Sequence, residues 1–210
     1  FVGGPFTLYT YACEGAHAGN LLSSKAGLFD GRYEAFLEVL LPNLLEEMCL
    51  QAEGGADAVC IFDTAVGELS LAHFKRFAAP ALRDLTSRFK KRHPKTRVVY
   101  YSKLTHMPYL RALETRDIDV LGVDWRMDLK EAVRELGPHY YVQGNFDPAL
   151  LHLPWEKVES ELGLWWEDMR TLPPSLLDKW VGGLGHGVLQ KTPEENVRKM
   201  VEYIHKNFVY

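Results

Sequence analysis

Short apolar runs recur along the chain, and each ends abruptly on polar or glycine-flanked residues. The runs stop before Asp63-Thr64, Ser102-Lys103, Asp124-Trp125, Gln143-Gly144-Asn145 and Gly185-His186-Gly187. Helical patterns fill most of the gaps between them. Apolar strands that alternate with helices predict a parallel sheet covered on both faces. Polar groups at the carboxyl ends of such strands are typical of α/β active sites, so the pattern predicts an enzyme built at one rim of a βα barrel.

Helix signals in the first half of the chain are strongest in two stretches. Residues 32–53 carry apolar side chains at helical spacing, and Pro42 within them predicts a kink or two abutting helices. Ser70 is a plausible N-cap for a helical region that runs to about residue 92 and breaks at Pro80. Residues 2–5 favour the end of a strand that turns into a loop.

The second half predicts shorter elements. A helix over 107–116 is followed by a compact one over 129–136, which Asp128 caps and Gly137 ends. A Trp-rich insertion follows Asn145. Residues 192–195 have the form of a capping box with Pro193 at the first helical position, and they predict a helix over 197–208.

The strand count sets the fold class. With the opening segment included, about six strands are predicted, whereas eight close a (β/α)₈ TIM barrel. We therefore expect an α/β protein in which residues 1–210 form one partial TIM-barrel domain of about six βα units, with two units upstream of Phe1.

Composition limits the class of partner. The 210 residues are 47% hydrophobic and 25% charged, which is ordinary for a globular protein, and the formal net charge of -4 argues against broad nucleic-acid or anionic-membrane binding. No apolar run reaches the roughly 18 residues of a membrane span. The three cysteines, Cys13, Cys49 and Cys60, lack CxxC spacing, so a disulfide framework is not expected and a reducing cytoplasm fits.

The strand-end residues differ in what they favour. His186 lies between glycines at a strand tip, where the backbone can approach a ligand closely, and this favours a functional role. Asp63-Thr64 leaves helix capping and a site role open. Asp124 favours a buried turn carboxylate that accepts backbone N–H groups, and Asn145-Phe146-Asp147-Pro148 favours an Asx turn. Tyr11, from spacing alone, favours simple packing.

Motifs for metals and phosphates are not found in the sequence. Cys13 and His17 lie four apart in a Gly/Ala-rich loop, a pair that is more often incidental than a metal site. No GxGxxG after a strand, phosphate loop or GxSxG turn occurs. The residues alone therefore predict a cofactor-independent cleft with one histidine, one or two carboxylates and hydroxyl donors.

Four segments, taken together, resemble the uroporphyrinogen decarboxylase family of haem biosynthesis, and they follow the family's order along the chain. They are residues 3–11 with Glu14-Gly15; residues 61–67; Gly122-Val123-Asp124-Trp125 with residues 143–148; and Gly185-His186-Gly187-Val188 with residues 192–197. The resemblance implies a (β/α)₈ barrel, of which this chain is similar to the carboxyl-terminal two-thirds.

The family's chemistry is implied with it. Members remove carbon dioxide from the four acetate side chains of uroporphyrinogen to give coproporphyrinogen, with no cofactor and no metal. Loss of carbon dioxide leaves an electron pair, for which the pyrrole is the sink once its ring carbon is protonated. The enzyme then has to bind the macrocycle, direct protons and stabilise the developing cation.

The resemblance also assigns site residues. It implies that Tyr11, Thr64 and His186 hydrogen-bond substrate carboxylates, at about 2.7–3.2 Å. Thr64 stands where many members have serine and keeps the hydroxyl, while Phe6 replaces a more usual tryptophan. The family's catalytic aspartate and its carboxylate-binding arginines are expected upstream of Phe1, so no catalytic residue is assigned within the 210 residues, and we expect the chain alone to be inactive.

The partners implied are uroporphyrinogen, a tetrapyrrole polycarboxylate, and a second copy of the chain, since the family is commonly homodimeric. Two alternatives stay open. One is a zinc-dependent corrinoid methyltransferase of the same barrel superfamily, which a zinc assay would identify. The other is a non-catalytic homologue that binds a partner.

Overall fold

The computed structural model describes residues 1–208, in which six strands form one sheet. They are β1 Val2–Gly3, β2 Ala58–Asp63, β3 Arg97–Ser102, β4 Val120–Gly122, β5 Tyr141–Gln143 and β6 Trp180–Val181. The strands are hydrogen-bonded in chain order, and the pairs β1-β2, β2-β3 and β5-β6 are parallel. This confirms the predicted α/β class, and a sequential parallel sheet of six strands is consistent with a partial TIM barrel.

Ten α-helices lie in the same described range. They are α1 Pro5–Glu14, α2 Leu22–Gly27, α3 Arg32–Glu53, α4 Leu71–His73, α5 Ala79–Arg92, α6 Met107–Arg111, α7 Leu129–Leu136, α8 Trp155–Met169, α9 Pro174–Leu177 and α10 Glu194–Asn207. Short 3₁₀ turns cover Val66–Glu68 and Pro148–His152, and a π-helical turn covers Phe74–Ala78.

The opening segment differs from its prediction. The loop expected after residues 2–5 is helix α1, which begins directly at Pro5. Proline is favoured at the first helical position because its missing N–H has no partner there in any case. The helix buries Phe6 and Tyr9 and ends at Gly15, which has the left-handed conformation that glycine adopts without strain.

Two proline positions gave different results. Helix α3 runs without a break through Pro42, so the alternative of two abutting helices is wrong. The break expected at Pro80 is confirmed, since a π-helical turn ends at Ala78 and α5 starts at Ala79, with the proline in its first turn. Ser70 acts as predicted, accepting the His73 N–H at 3.2 Å.

In the second half of the chain, the prediction for α7 is confirmed and the predictions for α6 and for the start of α10 differ from the structure. Asp128 accepts the Glu131 N–H at 2.8 Å and α7 spans Leu129–Leu136, as predicted. Helix α6 is shorter than expected and ends at Arg111. The capping box is wrong, because Pro193 occupies the N-cap position and the Thr192 hydroxyl donates to the Leu189 carbonyl at 2.7 Å.

The chain divides into two compact units, residues 1–121 and residues from 122 onward. In the first, Phe6 and Tyr9 of α1 and Tyr33 of α3 form a buried aromatic cluster. The second has its own core, in which α8 and α10 are packed together around Phe146, Leu151, Val158, Leu162 and Met200. The expectation of a single domain over 1–210 stays a prediction. Within the described part of the chain, none of the helices has the length and apolarity to cross a membrane.

Candidate functional site

Strand β2 ends in a buried carboxylate. Asp63, 2% exposed, accepts a hydrogen bond from the Thr7 hydroxyl at 2.6 Å and one from the Tyr100 hydroxyl at 3.2 Å. The Thr7 oxygen in turn accepts the Ala65 N–H at 3.0 Å. Asp63 therefore links three elements of the first unit: helix α1, strand β3 and the turn after β2. Asp63 also accepts the backbone N–H of Thr7 in the first turn of α1, and the site role left open for Asp63-Thr64 stays a prediction.

Burial dominates the electrostatics of Asp63. Removal from water raises the pKa of the carboxyl from 3.8 to about 6, although the hydrogen bonds from Thr7 and Tyr100 oppose the rise. The chain also crowds the group, since a Cβ at Gly4 would lie 2.3 Å from the Asp63 carboxyl carbon. Glycine at position 4 lets the start of α1 lie directly against the carboxylate.

Thr64 follows Asp63 and is half-buried. Along β2 the buried positions Val59, Ile61 and Asp63 alternate with the more exposed Cys60 and Phe62. Because side chains alternate across a strand, the alternation predicts that Thr64 points to the face opposite Asp63, the less covered one. The buried aspartate thus fixes the backbone of a hydroxyl that stays accessible.

Tyr11 lies near the end of α1 and is 46% exposed. Its hydroxyl is 2.5 Å from Nδ1 of His17, in the loop after the helix. Thr7 and Tyr11 are four residues apart, a spacing that places them on neighbouring turns of one helix. The contact from Thr7 to Asp63 therefore holds in place both the helix that carries Tyr11 and the strand end that carries Thr64.

Strand β4 also leads into a buried carboxylate. Asp124, 3% exposed, accepts the Arg126 backbone N–H at 2.9 Å and the Arg126 guanidinium at 3.1 Å. The prediction of a turn carboxylate that accepts a backbone N–H is confirmed. The Arg126 side chain stays 40% exposed, and its guanidinium carbon lies 4.0 Å from the centre of the Trp125 ring.

The end of β5 supports this turn. The buried Asn145 side chain donates from its amide nitrogen to the Asp124 carbonyl at 2.9 Å and to the Met127 carbonyl at 2.8 Å. The predicted Asx turn follows, with Asp147 accepting the Ala149 N–H at 2.9 Å. Asn145 thus ties the end of β5 to two backbone carbonyls of the β4 turn.

His186 follows β6, and pairing with the β5 side continues beyond the two strands. Phe146 N–H donates to the Gly183 carbonyl at 2.9 Å, and Gly185 N–H donates to the Phe146 carbonyl at 2.8 Å. The loop then lies so close to the β4 turn that a Cβ at Gly185 would be 2.5 Å from the Trp125 backbone nitrogen. This close approach places the His186 and Trp125 rings edge to face, with centroids 6.3 Å apart.

The three residues expected at the site are therefore placed in two groups. Tyr11 and Thr64 belong to the first unit, joined through Thr7 and Asp63. His186 belongs to the second unit, beside Trp125. The convergence of all three on one opening stays a prediction.

Between residues 1 and 208 no group of three or more His, Cys, Asp or Glu side chains is placed to hold an ion. Of the pair Cys13 and His17, considered above as a chance spacing, His17 contacts the Tyr11 hydroxyl through Nδ1. The zinc-dependent alternative stays a prediction for a metal assay.

Sequence reasoning missed two residues of this region, His17 and Arg126. His17 was weighed only as a metal ligand, although it lies six residues beyond Tyr11, across a helix end. Arg126 carried a detectable signal, because an arginine two residues after a strand-end aspartate can close a ring with it through both backbone and side chain.

Comparisons with known proteins agree with one another. The profile of the family described as "Uroporphyrinogen decarboxylase (URO-D)" matches residues 1–207. A protein named uroporphyrinogen decarboxylase from Staphylococcus epidermidis (strain ATCC 12228) is 31% identical over 207 residues, which cover 98% of this chain and 56% of that protein. One of the same name from Staphylococcus aureus (strain bovine RF122) is 31% identical over 213 residues, covering 98% of this chain and 58% of its own length.

The chain thus spans less than two thirds of the length of these relatives. The family match nevertheless covers both compact units, and it includes the strand ends that carry Tyr11, Thr64 and His186. The family match agrees with the all-parallel sheet in chain order and with the buried carboxylates at two strand ends. The chain belongs to the uroporphyrinogen decarboxylase family.

Proposed function

We propose that the protein decarboxylates the four acetate side chains of uroporphyrinogen III to give coproporphyrinogen III, in tetrapyrrole and haem biosynthesis. The observation that carries the proposal is the family match over residues 1–207, which includes all three expected substrate-contact positions. The reaction belongs to the full-length protein. We expect the 210 residues alone to be inactive, because the family's arginines and aspartate are expected upstream.

The proposed role of the three side chains is to hold substrate carboxylates. A phenol, a hydroxyl and an imidazole each offer a hydrogen-bond donor to a carboxylate oxygen, and such charge-assisted bonds are stronger than neutral ones. Donors fixed before the substrate arrives need no reorganisation when charge shifts during carbon dioxide loss. Thr64 suits this role because buried Asp63 fixes its backbone, and His186 because its loop is paired on one side and packed on Trp125.

Tyr11 needs one further condition. Its oxygen is bonded to His17 Nδ1, so the phenolic proton is free for a carboxylate only when the ring nitrogen is the donor. In that tautomer His17 donates to the phenol and the phenol donates to substrate. The proposal therefore includes His17 as the residue that orients the Tyr11 hydroxyl.

Turnover by the full-length protein tests the proposal. Incubation with uroporphyrinogen should yield a four-carboxylate product, with seven-, six- and five-carboxylate intermediates separable by chromatography. Absence of any carboxylate loss, by a folded protein, would contradict it.

Single substitutions then test the residues. Tyr11→Phe, Thr64→Val and His186→Asn should each lower kcat/KM by roughly tenfold or more, the usual range for a hydrogen bond to a charged group. Tyr203→Phe and His205→Asn, both on helix α10, are matched controls that should leave kcat/KM unchanged. Equal effects in the controls and the site variants would remove the three residues from the site.

We extend the proposal to compartment and assembly, as a cytoplasmic homodimer. All three cysteines are free thiols, which fits a reducing compartment, and the dimer is carried over from the family. Light scattering of the full-length protein should give twice the chain mass, and a monomer would contradict the assembly.

A further inference from the structure

We propose that Arg126 is a carboxylate-binding residue of the substrate site, with Trp125 as the surface against which its guanidinium is held. The inference rests on the proposed function and deepens it. It adds a guanidinium to the expected donors Tyr11, Thr64 and His186.

The guanidinium of Arg126 is held from one side. Its NH1 nitrogen lies 3.1 Å from Oδ2 of buried Asp124, whose Oδ1 accepts the backbone N–H of the same arginine. Asp124 is itself fixed, because the amide of Asn145 donates to its carbonyl. Arg126 is thus bonded to one buried carboxylate by both its backbone and its guanidinium. This restricts the side chain before any ligand binds, so less conformational entropy is lost on binding.

A second contact holds the guanidinium over an aromatic ring. The Arg126 guanidinium carbon lies 4.0 Å from the centre of the Trp125 ring, within the distance of a cation-π pair. The side chain remains 40% exposed. Guanidinium has five N–H donors in a rigid fork, and in the described part of the chain only NH1 has a protein acceptor. Donors on the remaining nitrogens are therefore available to a carboxylate.

The position of Arg126 connects it to a residue already expected at the site. Trp125 contacts the guanidinium and also lies edge to face with His186, at 6.3 Å between ring centroids. The absence of a side chain at Gly185 allows this approach, since a Cβ there would be 2.5 Å from the Trp125 nitrogen. Arg126 and His186 thus follow the carboxyl ends of two strands and share one aromatic neighbour.

The charge of Arg126 matches the charge of the proposed substrate. The substrate class carries eight carboxylates, yet the chain has a net charge of -4 and its other expected site donors, Tyr11 and Thr64, are neutral. A guanidinium that lies over an indole ring and keeps free donors suits recognition of a carboxylate in two-point geometry. The alternative is that Arg126 serves only to neutralise Asp124.

Steady-state kinetics of the full-length protein separate these roles. Arg126→Gln should raise the KM for uroporphyrinogen about tenfold, with a smaller change in kcat, as expected for loss of one charged contact. Arg126→Lys keeps the charge but not the fork and should raise KM about threefold. Arg170→Gln, which removes an exposed arginine of the same unit, is the matched control and should leave KM unchanged.

Two further measurements distinguish a folding defect from a binding defect. The KM of the wild type should rise with ionic strength more steeply than that of Arg126→Gln, because the variant has lost an ionic contact. Asp124→Asn/Arg126→Gln removes the buried charge together with its partner and should show the same raised KM. A normal KM in the glutamine variant, with a lowered Tm, would overturn the inference and leave Arg126 as the partner of Asp124 alone.

Failure of the inference differs from failure of the proposed function. If the wild type forms coproporphyrinogen and Arg126→Gln has the same KM, only the role of Arg126 is wrong. If the wild type does not turn over uroporphyrinogen, equilibrium titration with uroporphyrin, the stable oxidised octacarboxylate, decides: a tenfold weaker Kd in Arg126→Gln supports the inference without the reaction. An equal Kd, or no binding by the wild type, overturns it.

Discussion

Two strands of the same sheet end in buried aspartates, and the two are satisfied in opposite ways. Asp63, after β2, accepts hydrogen bonds from the uncharged hydroxyls of Thr7 and Tyr100. Asp124, after β4, accepts a backbone N–H and the charged guanidinium of Arg126. Among residues 1–208, the Asp63 carboxylate is thus bonded only to uncharged donors, whereas the Asp124 carboxylate pairs with a cationic side chain that reaches the surface.

The difference shows two structural roles for a buried carboxylate: it can link elements of the fold, or it can position a cationic side chain. A group with only neutral donors is destabilised as an anion, and burial accordingly raises the pKa of Asp63 to about 6. Asp63 instead serves to connect three elements: helix α1, strand β3 and the turn after β2. A group paired with a half-exposed arginine instead fixes a positive charge in a chosen place. We regard Asp63 as a positioning residue for Thr64 and α1, and Asp124 as one for Arg126.

The largest expected effect concerns pH and Asp63. Its folded pKa of about 6 exceeds the ordinary value of 3.8, so the stability it contributes is fully present below about pH 4 and is lost as pH rises through 6. The shift corresponds to about 3 kcal/mol in the free energy of unfolding. Asp63→Asn cannot ionise and should lack this loss between pH 4 and 7, in urea titrations at several pH values.

The control for Asp63 is an exposed aspartate of the same unit. Asp84→Asn, on α5, should leave the pH profile parallel to that of the wild type. The assignment to Asp63 fails if Asp63→Asn also gives a parallel profile.

A smaller effect is expected where His186 is held against the β4 turn. Gly185→Ala places a Cβ 2.5 Å from the Trp125 backbone nitrogen, and backbone cannot move aside as a flexible side chain can. We expect a loss of about 1–3 kcal/mol in the free energy of unfolding, typical of overpacking. Gly187→Ala, on the other side of the histidine, meets nothing within 4 Å and should be close to neutral. Equal stability of the two variants would show that the loop is not held at Trp125.

The smallest effect is the coupling between Asp124 and Arg126. Because the arginine is 40% exposed, solvent weakens the pair, and a double-mutant cycle of Asp124→Asn and Arg126→Gln should give about 1 kcal/mol. A coupling of zero would mean that Asp124 accepts only the backbone N–H and does not position the guanidinium.

The sequence predicted those features that depend on a few neighbouring residues. Helix α7 followed from Asp128 and Gly137, since a cap and a stop act within one turn. The six parallel strands followed from apolar runs with polar ends. Helix α1 was missed because Gly-Gly-Pro signals a turn, while the burial of Phe6 and Tyr9 that stabilises the helix depends on residues far along the chain.

Contacts between distant residues could not be predicted. Thr7 and Asp63 are 56 positions apart, and nothing local to α1 shows that a threonine will donate to a carboxylate of β2. The contacts of Trp125 with both Arg126 and His186 likewise depend on how the folded chain brings two loops together. The flanking glycines favoured a functional His186, whereas the shared role of Tyr11, Thr64 and His186 in binding carboxylates came only from the family resemblance.

A crystal structure of the full-length protein with coproporphyrinogen bound tests the central claim most directly. The account predicts the Tyr11 hydroxyl, the Thr64 hydroxyl and a His186 ring nitrogen within about 2.7–3.2 Å of ligand carboxylate oxygens, with the Arg126 guanidinium on a further carboxylate. A macrocycle bound elsewhere, or bound with these four side chains out of contact, would contradict it.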